Sequence, residues 1–473
     1  MKKNINKLSD IKPSFFVVYL LIAAIITNSL INFFERGFKK FYLDINFFDI
    51  FIGLLLFTFL FLVGKLVKES NKFDNISIGI LIYLFSFFII DCLLLLIKQD
   101  QLFTNIILIV NLIWLSYFLY FYKNKIKSIF PALISYGSLK SSFFFFSDEL
   151  TINNNLTGDV SAVFFEQAKN IYEVGFSYSL YNYVFEGYPQ FISYFQSLFL
   201  GIVVTEINYN FYSFTSHIVF YLSLLFFLEL KISRSSKLLL VLLFSSLIYN
   251  SSFLKFLFST SLMSEGLVSL FTAIALVSVL DNIQMSEKLD YKLFLIFGII
   301  YFSKQFNSSL ILIWTISLFL ITKYRKIVLF GLSGLFLKEL LYLFVFKDLS
   351  KDHHIRQIDI FDTVVDLLLL RDLNLQNFTQ IVKNLWLDKP ISILFILFYF
   401  VYIMLKINSK KFDQNVDVVF IGINLNILFV ILLYVSVWRN MELESPIRYF
   451  LNLFHLMLVS IFINFDKLSK MRT

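Results

Sequence analysis

Asp159 heads the stretch GDVSAVFFEQAKNIYEVG (158–175), a polar passage in an otherwise apolar chain. Further along stand Tyr188-Pro189 in EGYPQFISYF (186–195), Glu265 in STSLMSEGLVSLFTAIALVSVL (259–280), Lys304 in FSKQFNSSLIL (302–312) and Arg448 in ESPIRYFLNLFHL (444–456). A carboxylate beside a hydroxyl can take its proton. Lysine and arginine can hold a phosphate and stabilise the charge that develops on it. Each residue also has a plainer role. Asp159 fits the N-cap of a helix that ends near Gly175, and Tyr-Pro fits the start of an interfacial helix with aromatic anchors. Glu265 fits an acid at headgroup level, Lys304 a snorkelling lysine and Arg448 an interfacial arginine. Within 158–175, Val163, Glu166 and Asn170 share the Asp159 face. Glu166–Lys169 and Lys169–Glu173 have the spacing of helical pairs.

The elements that must position these residues are membrane spans. Of 473 residues 58% are hydrophobic and only 16% charged, with a mean hydropathy of +0.77. A soluble domain carries about 25% charge, so a water-soluble enzyme is excluded, as are disordered and fibrous chains. The lone Cys92 forms no internal disulfide and no thiolate metal site by itself. The 62 Phe and 25 Tyr read as a bias of composition. A span needs about 20 apolar residues. Fourteen candidates fall at 14–33, 47–66, 76–97, 102–122, 129–147, 209–230, 238–255, 262–281, 291–304, 307–322, 327–346, 391–406, 416–437 and 446–465. Pro13, Pro131, Pro390 and Pro446 stand at span starts, where the missing N–H costs nothing. The first span is expected to be an uncleaved helix rather than a signal peptide.

The expected fold is therefore an all-α, polytopic helical membrane protein with both termini in the cytoplasm. An N-terminal four-helix membrane segment covers 1–127, and a transmembrane core covers 128–473 with outer loops at 148–208 and 347–390. Basic residues set this orientation: more than half of the 41 Lys and Arg fall in short loops assigned to the inside. The assignment holds only if the chain crosses once between Phe146 and Lys231. Segment 189–205 is accordingly expected to lie along the outer membrane surface as a juxtamembrane helix. The +8 charge follows from the inner-loop bias and points to no nucleic acid.

No Walker A sequence, GxGxxG, HExxH or CxxC is present, and the four histidines lack metal-ligand spacing. The order of the five segments is more informative than any one of them. It resembles the GT-C superfamily of membrane glycosyltransferases. There, an outer-loop Asp is followed by a Trp and a Lys-Ala-Lys-like helix, a YPP or YPL segment, a small-residue acidic segment, a K-x-x-G turn and an RY-containing last helix. The resemblance covers 129–465 and is nearest to bacterial members with extra helices in front. Phe164 and Phe165 stand where Trp is common, Gln190 replaces the second Pro or Leu, and Phe306 and Asn307 fill the glycine region after Lys304.

The resemblance implies transfer of a sugar, with inversion, from a polyprenyl-phosphate donor to a glycan, lipid or protein acceptor on the outer face. It implies that Asp159 acts as base and that Lys304 and Arg448, with Arg439 as a weaker candidate, hold the donor phosphate. Glu166, Lys169, Tyr188 and Glu265 then line the acceptor side. No cofactor is expected. A divalent metal is not favoured, although Asp148, Glu149 and Asp159 are close in sequence. Asp91, Lys140, Lys338 and Glu339 fall within spans, at a cost of about 2.5–3.5 kcal/mol each if central. Two other classes compete. An O-antigen-type polymerase or ligase would use His353, His354, Arg356 and Arg371 in the late outer loop. A lipid-linked transporter or flippase predicts internal repeats and Gly- or Pro-broken spans, and the chain has 14 Gly and no visible repeat.

Overall fold

The computed structural model describes residues 60–69, 75–96, 210–251, 264–285, 375–409, 413–437 and 450–471, with shorter helical pieces at 168, 171, 191, 193–195, 254, 298–299, 301–302, 333–334, 336 and 340. Among the described residues there is no strand. The named helices are α1 (Ile76–Leu96), α2 (Asn210–Glu229), α3 (Arg234–Asn250), α4 (Ser264–Met285), α5 (Leu375–Leu387), α6 (Lys389–Ser409), α7 (Gln414–Leu432) and α8 (Phe454–Lys470). A π-helical turn, Leu433–Val437, closes α7. Two helical stretches, Lys389–Ser409 and Val416–Val435, are long and apolar enough to cross a membrane. The spans expected at 14–33, 102–122, 129–147 and 307–322 lie outside the described residues.

Each start has a local cause. Ser233 caps α3 by accepting the Ser236 amide at 3.3 Å. Asp388 accepts the Ile391 amide at 3.2 Å and so caps α6, with Pro390 in the first turn. Asp413 caps α7 through the Val416 amide at 3.4 Å. The last helix is interrupted: residues 450–451 are helical, Asn452 and Leu453 form a turn, and α8 begins at Phe454. The segment α5 was expected to be part of the 347–390 loop and is a helix instead.

α8 is central, packed by α6, α4, α3 and α7, and its residues from Phe454 to Phe462 are buried all round. Polar contacts gather the helix ends at two levels. At the first, Glu229 at the end of α2 accepts the Ser77 amide at 3.0 Å and the Ser77 hydroxyl at 2.7 Å, at the start of α1. Asp466 near the end of α8 accepts the Ser233 amide at 3.0 Å, before α3, and pairs with Lys470 at 2.6 Å. Lys467 pairs with Asp413 ahead of α7. Lys406 near the end of α6 lies 2.5 Å from Asp417, which also accepts the Tyr402 hydroxyl at 2.8 Å. Lys231, Arg234 and Lys237 belong to this same level, which is the basic end. At the opposite end, Ser251 after α3 donates to Asp388 at 2.6 Å, and Asn377 of α5 donates to the Tyr434 carbonyl at 3.0 Å.

Helical residues 60–69 and α1 cross at glycines. A Cβ on Gly79 would meet the Gly64 carbonyl oxygen, and one on Gly64 would meet Ile80 and the Ile76 carbonyl. Small residues permit this close backbone approach, the commonest device for joining apolar helices in lipid. Gly79→Val is expected to force the pair apart and lower the unfolding temperature in mild detergent, at a cost of about 1–3 kcal/mol for overpacking.

Asp466 gives the bundle a pH signature. Burial pushes its carboxyl up, but Lys470 and the hydroxyl and amide of Ser233 outweigh burial and hold it below the usual carboxylate range. A depressed carboxyl stabilises the fold above its unfolded value, about pH 4, and that stabilisation is lost as pH falls through the folded value. The unfolding temperature is thus expected to hold through the neutral range and fall in acid. Asp466→Asn should begin lower at pH 7 and show a shallower acid decline.

Candidate functional site

Two clusters at the heart of the bundle bring together segments that lie far apart in sequence. The first is aromatic and centres on Phe85 and Phe88, near the middle of α1. Phe191 stands edge-on to Phe85 with ring centroids 5.1 Å apart, and 5.5 Å from Phe88. Phe302 lies 5.8 Å from Phe85 and 5.4 Å from Phe88. Tyr194 is 5.4 Å from Phe88, and Phe195 is 5.6 Å from Phe271 of α4. Offset and edge-on aromatic pairs contribute about 0.5–1.5 kcal/mol each beyond the area they bury. The phenylalanine richness read as compositional bias therefore has a packing role here.

This cluster bears on one expectation, the surface placement of 189–205. Phe191, Ser193, Tyr194 and Phe195 are helical and fully buried between α1 and α4. These four residues are interior to the protein, and the rest of 189–205 lies outside the described residues. Charge counting constrains the side on which a segment starts and ends. It does not constrain depth, and the bulk of these rings favours burial among other rings. The hydroxyls of Ser193 and Thr272, beside the ring contacts, have no hydrogen-bond partner among the described residues.

The second cluster is polar and joins α2, α4 and α8. His455 is fully buried. Its Nδ1 lies 2.9 Å from Ser269 Oγ and its Nε2 2.9 Å from Ser223 Oγ. Ser223 already gives its one hydroxyl proton to the Val219 carbonyl, at 2.6 Å. It must therefore accept from Nε2–H, which fixes the tautomer. Ser269 accepts the His455 amide at 3.0 Å and gives its own proton to Nδ1. Each donor is used once, the ring is neutral, and Phe227, Phe244 and Phe454 surround it at 5.5–6.0 Å. Both ring nitrogens are committed, so the group joins helices and is not poised as a base. One turn before it in sequence, Asn452 is fully buried with neither side-chain atom paired among the described residues.

The side chains of the expected site residues lie outside the described residues: Asp159, Glu166, Lys169, Tyr188, Glu265, Lys304, Arg439 and Arg448. The segments that carry four of them are placed at one or two removes. Phe191 follows Tyr188 by three residues, and Phe302 precedes Lys304 by two; both pack on Phe85 and Phe88. Glu265 occupies a backbone position in the first turn of α4, one turn before Ser269. Arg448 comes two residues before Phe450, which packs with Ile381, Tyr434 and Val435. Because Ser269 meets His455, the starts of α4 and α8 stand side by side. Of the stretch 158–175, Ala168 and Ile171 are described, both helical and buried.

Sequence reasoning missed His455, Ser223 and Ser269. Their pairing spans well over a hundred residues and leaves no local pattern. Among the described residues, no three His, Cys, Asp or Glu side chains come together to hold a metal ion. No family model, curated protein or solved structure matches the chain.

Proposed function

We propose that the protein is an integral membrane glycosyltransferase that moves a sugar from a polyprenyl-phosphate carrier to an acceptor on the outer face. The observation that carries this reading is convergence. The segments next to Tyr188, Glu265 and Lys304 meet around Phe85, Phe88 and Phe271, and α4 is tied to the helix that follows Arg448. These segments recur in the order seen in the GT-C superfamily, and the fold supports their assembly at one place.

The contacts between helix ends support the expected topology. Ends that touch lie on one side, so an even number of crossings separates them. The fourteen spans satisfy this from the start of α1 to Glu229, from Ser233 to Asp466, from Ser251 to Asp388 and from Asp413 to Lys467. A crossing by 189–205 would make the first of these odd. In this reading the segment enters the bundle and leaves on the side it entered, as backbone buried in protein can. The basic end then faces the cytoplasm, and the starts of α4 and of the last span face outward.

In the reaction, an acceptor hydroxyl oxygen bonds to the anomeric carbon as the bond from that carbon to the phosphate oxygen breaks. Asp159 takes the hydroxyl proton. Lys304 and Arg448, with Arg439, offset the charge left on the lipid phosphate, while Glu166, Lys169, Tyr188 and Glu265 line the acceptor side. A lipid donor accounts for a site at the membrane edge, since the prenyl tail stays in lipid while its head enters. The test uses purified protein in proteoliposomes with a panel of polyprenyl-phosphate hexoses and pentoses and cell-envelope glycolipids as acceptor. Release of polyprenyl phosphate with sugar on the glycolipid supports the reading. Translocation with the sugar–phosphate bond intact overturns it in favour of a carrier.

A further inference from the structure

Helix α5 has three faces. Asn377 and Ile381 are buried against the Tyr434 carbonyl and a cluster of Tyr434, Val435 and Phe450. Gln376, Thr379 and Lys383 are exposed on a second, largely polar side, which ends at the exposed Leu387. Between these two runs a third stripe, Phe378, Val382 and Trp386, at four-residue spacing and therefore on one side of the helix. All three are exposed, Trp386 at 69%. Four-residue spacing of an aromatic, an aliphatic and a tryptophan is a large apolar surface to leave in water.

The neighbourhood says what covers it. One residue, Asp388, joins α5 to α6, which is long enough to cross the membrane. The exposed residues of α6 and α7 are apolar along the bundle flank, among them Ile396, Ile403, Leu425 and Leu428. α5 sits at the end of α6 away from the basic loops, where Ser251 meets Asp388. Protein on one side, polar residues on another and an apolar stripe between them is the section of a helix lying flat at a membrane boundary. Tryptophan is the residue most at home at that depth, and lysine can turn its ammonium to water.

We propose that α5 is a membrane-surface helix whose Phe378–Val382–Trp386 stripe is embedded in the acyl–headgroup boundary of the outer leaflet. The inference rests on the reading that α6 spans the bilayer. It places a lipid-seated helix directly over Phe450, two residues from Arg448, on the path by which a lipid-borne phosphate would arrive.

The test is spin labelling of the full chain in phosphatidylcholine–phosphatidylglycerol proteoliposomes, in a Cys92→Ala background, so that the native buried thiol takes no label. Single cysteines replace Phe378, Val382 and Trp386 on the stripe, Gln376 and Lys383 on the polar face, and Ile403 in the span. Collision with oxygen, which concentrates in lipid, is compared with collision with a water-soluble nickel chelate. The stripe labels are expected to favour oxygen by several-fold, as the Ile403 label does, and the Gln376 and Lys383 labels to favour nickel. Stripe labels that favour nickel, or that are shielded from both agents by a second protein surface, overturn the proposal. If the Ile403 label also favours nickel, the spanning role of α6 fails as well, and the two failures are told apart.

Discussion

His455→Ala is expected to unfold the bundle at a much lower temperature than the parent, with a loss of about 3–5 kcal/mol. The loss combines an uncollapsed cavity among Phe227, Phe244 and Phe454 with a stranded Ser269 hydroxyl proton. The internal order of effects is the sharper test. Ser269 satisfies two groups of His455, the backbone amide and Nδ1. Ser223 satisfies one, Nε2–H, while its own proton stays on Val219. Ser269→Ala should therefore cost more than Ser223→Ala by about 1–3 kcal/mol, the penalty of one further unpaired buried group. Thermal unfolding in mild detergent measures both. Equal losses would contradict the accounting in which Ser269 satisfies two groups of His455 and Ser223 one.

The largest effect on activity is expected at Asp159. Asp159→Asn keeps size and capping ability but removes the proton acceptor, and should slow sugar transfer by about 10²–10⁴-fold, the range of general base catalysis. Arg448→Ala and Lys304→Ala should each slow it by about 10²–10³-fold if they stabilise the departing phosphate. Arg356→Ala and Arg371→Ala should remain near the parent rate. The reverse pattern, with Asp159 dispensable and the late-loop arginines essential, would assign the chain to the polymerase class. Single-turnover consumption of a polyprenyl-phosphate sugar distinguishes the two.

What could be read in advance follows from the range of each interaction. α6 and α7 appear within a few residues of their expected positions because their signals are local: an unbroken apolar run, Pro390 in the first turn, and Asp388 and Asp413 as caps. α5 carries an equally local signal in the spacing of Phe378, Val382 and Trp386, within a late stretch whose polar residues read as loop. The depth of Phe191 and Tyr194 had no local signal. Charge counting reports sides, and only the rings of α1 and α4, distant in sequence, show that these residues are interior. The hydroxyl–imidazole chain was illegible for the same reason. For the site, the sequence supplied residue types and order, and the fold supplied the proximity of the segments beside Tyr188, Glu265 and Lys304.

The most direct test of the account is the sidedness of Asp159 relative to the basic end of the bundle. In a Cys92→Ala background, single cysteines replace Asp159, Lys68 and Lys470, and intact cells are treated with a membrane-impermeant maleimide. The account predicts labelling at 159 from outside, and labelling at 68 and 470 only after permeabilisation. Labelling at 68 or 470 in intact cells, with 159 protected until the membrane is opened, would place the carboxylate in the cytoplasm and contradict the proposed reaction on the outer face.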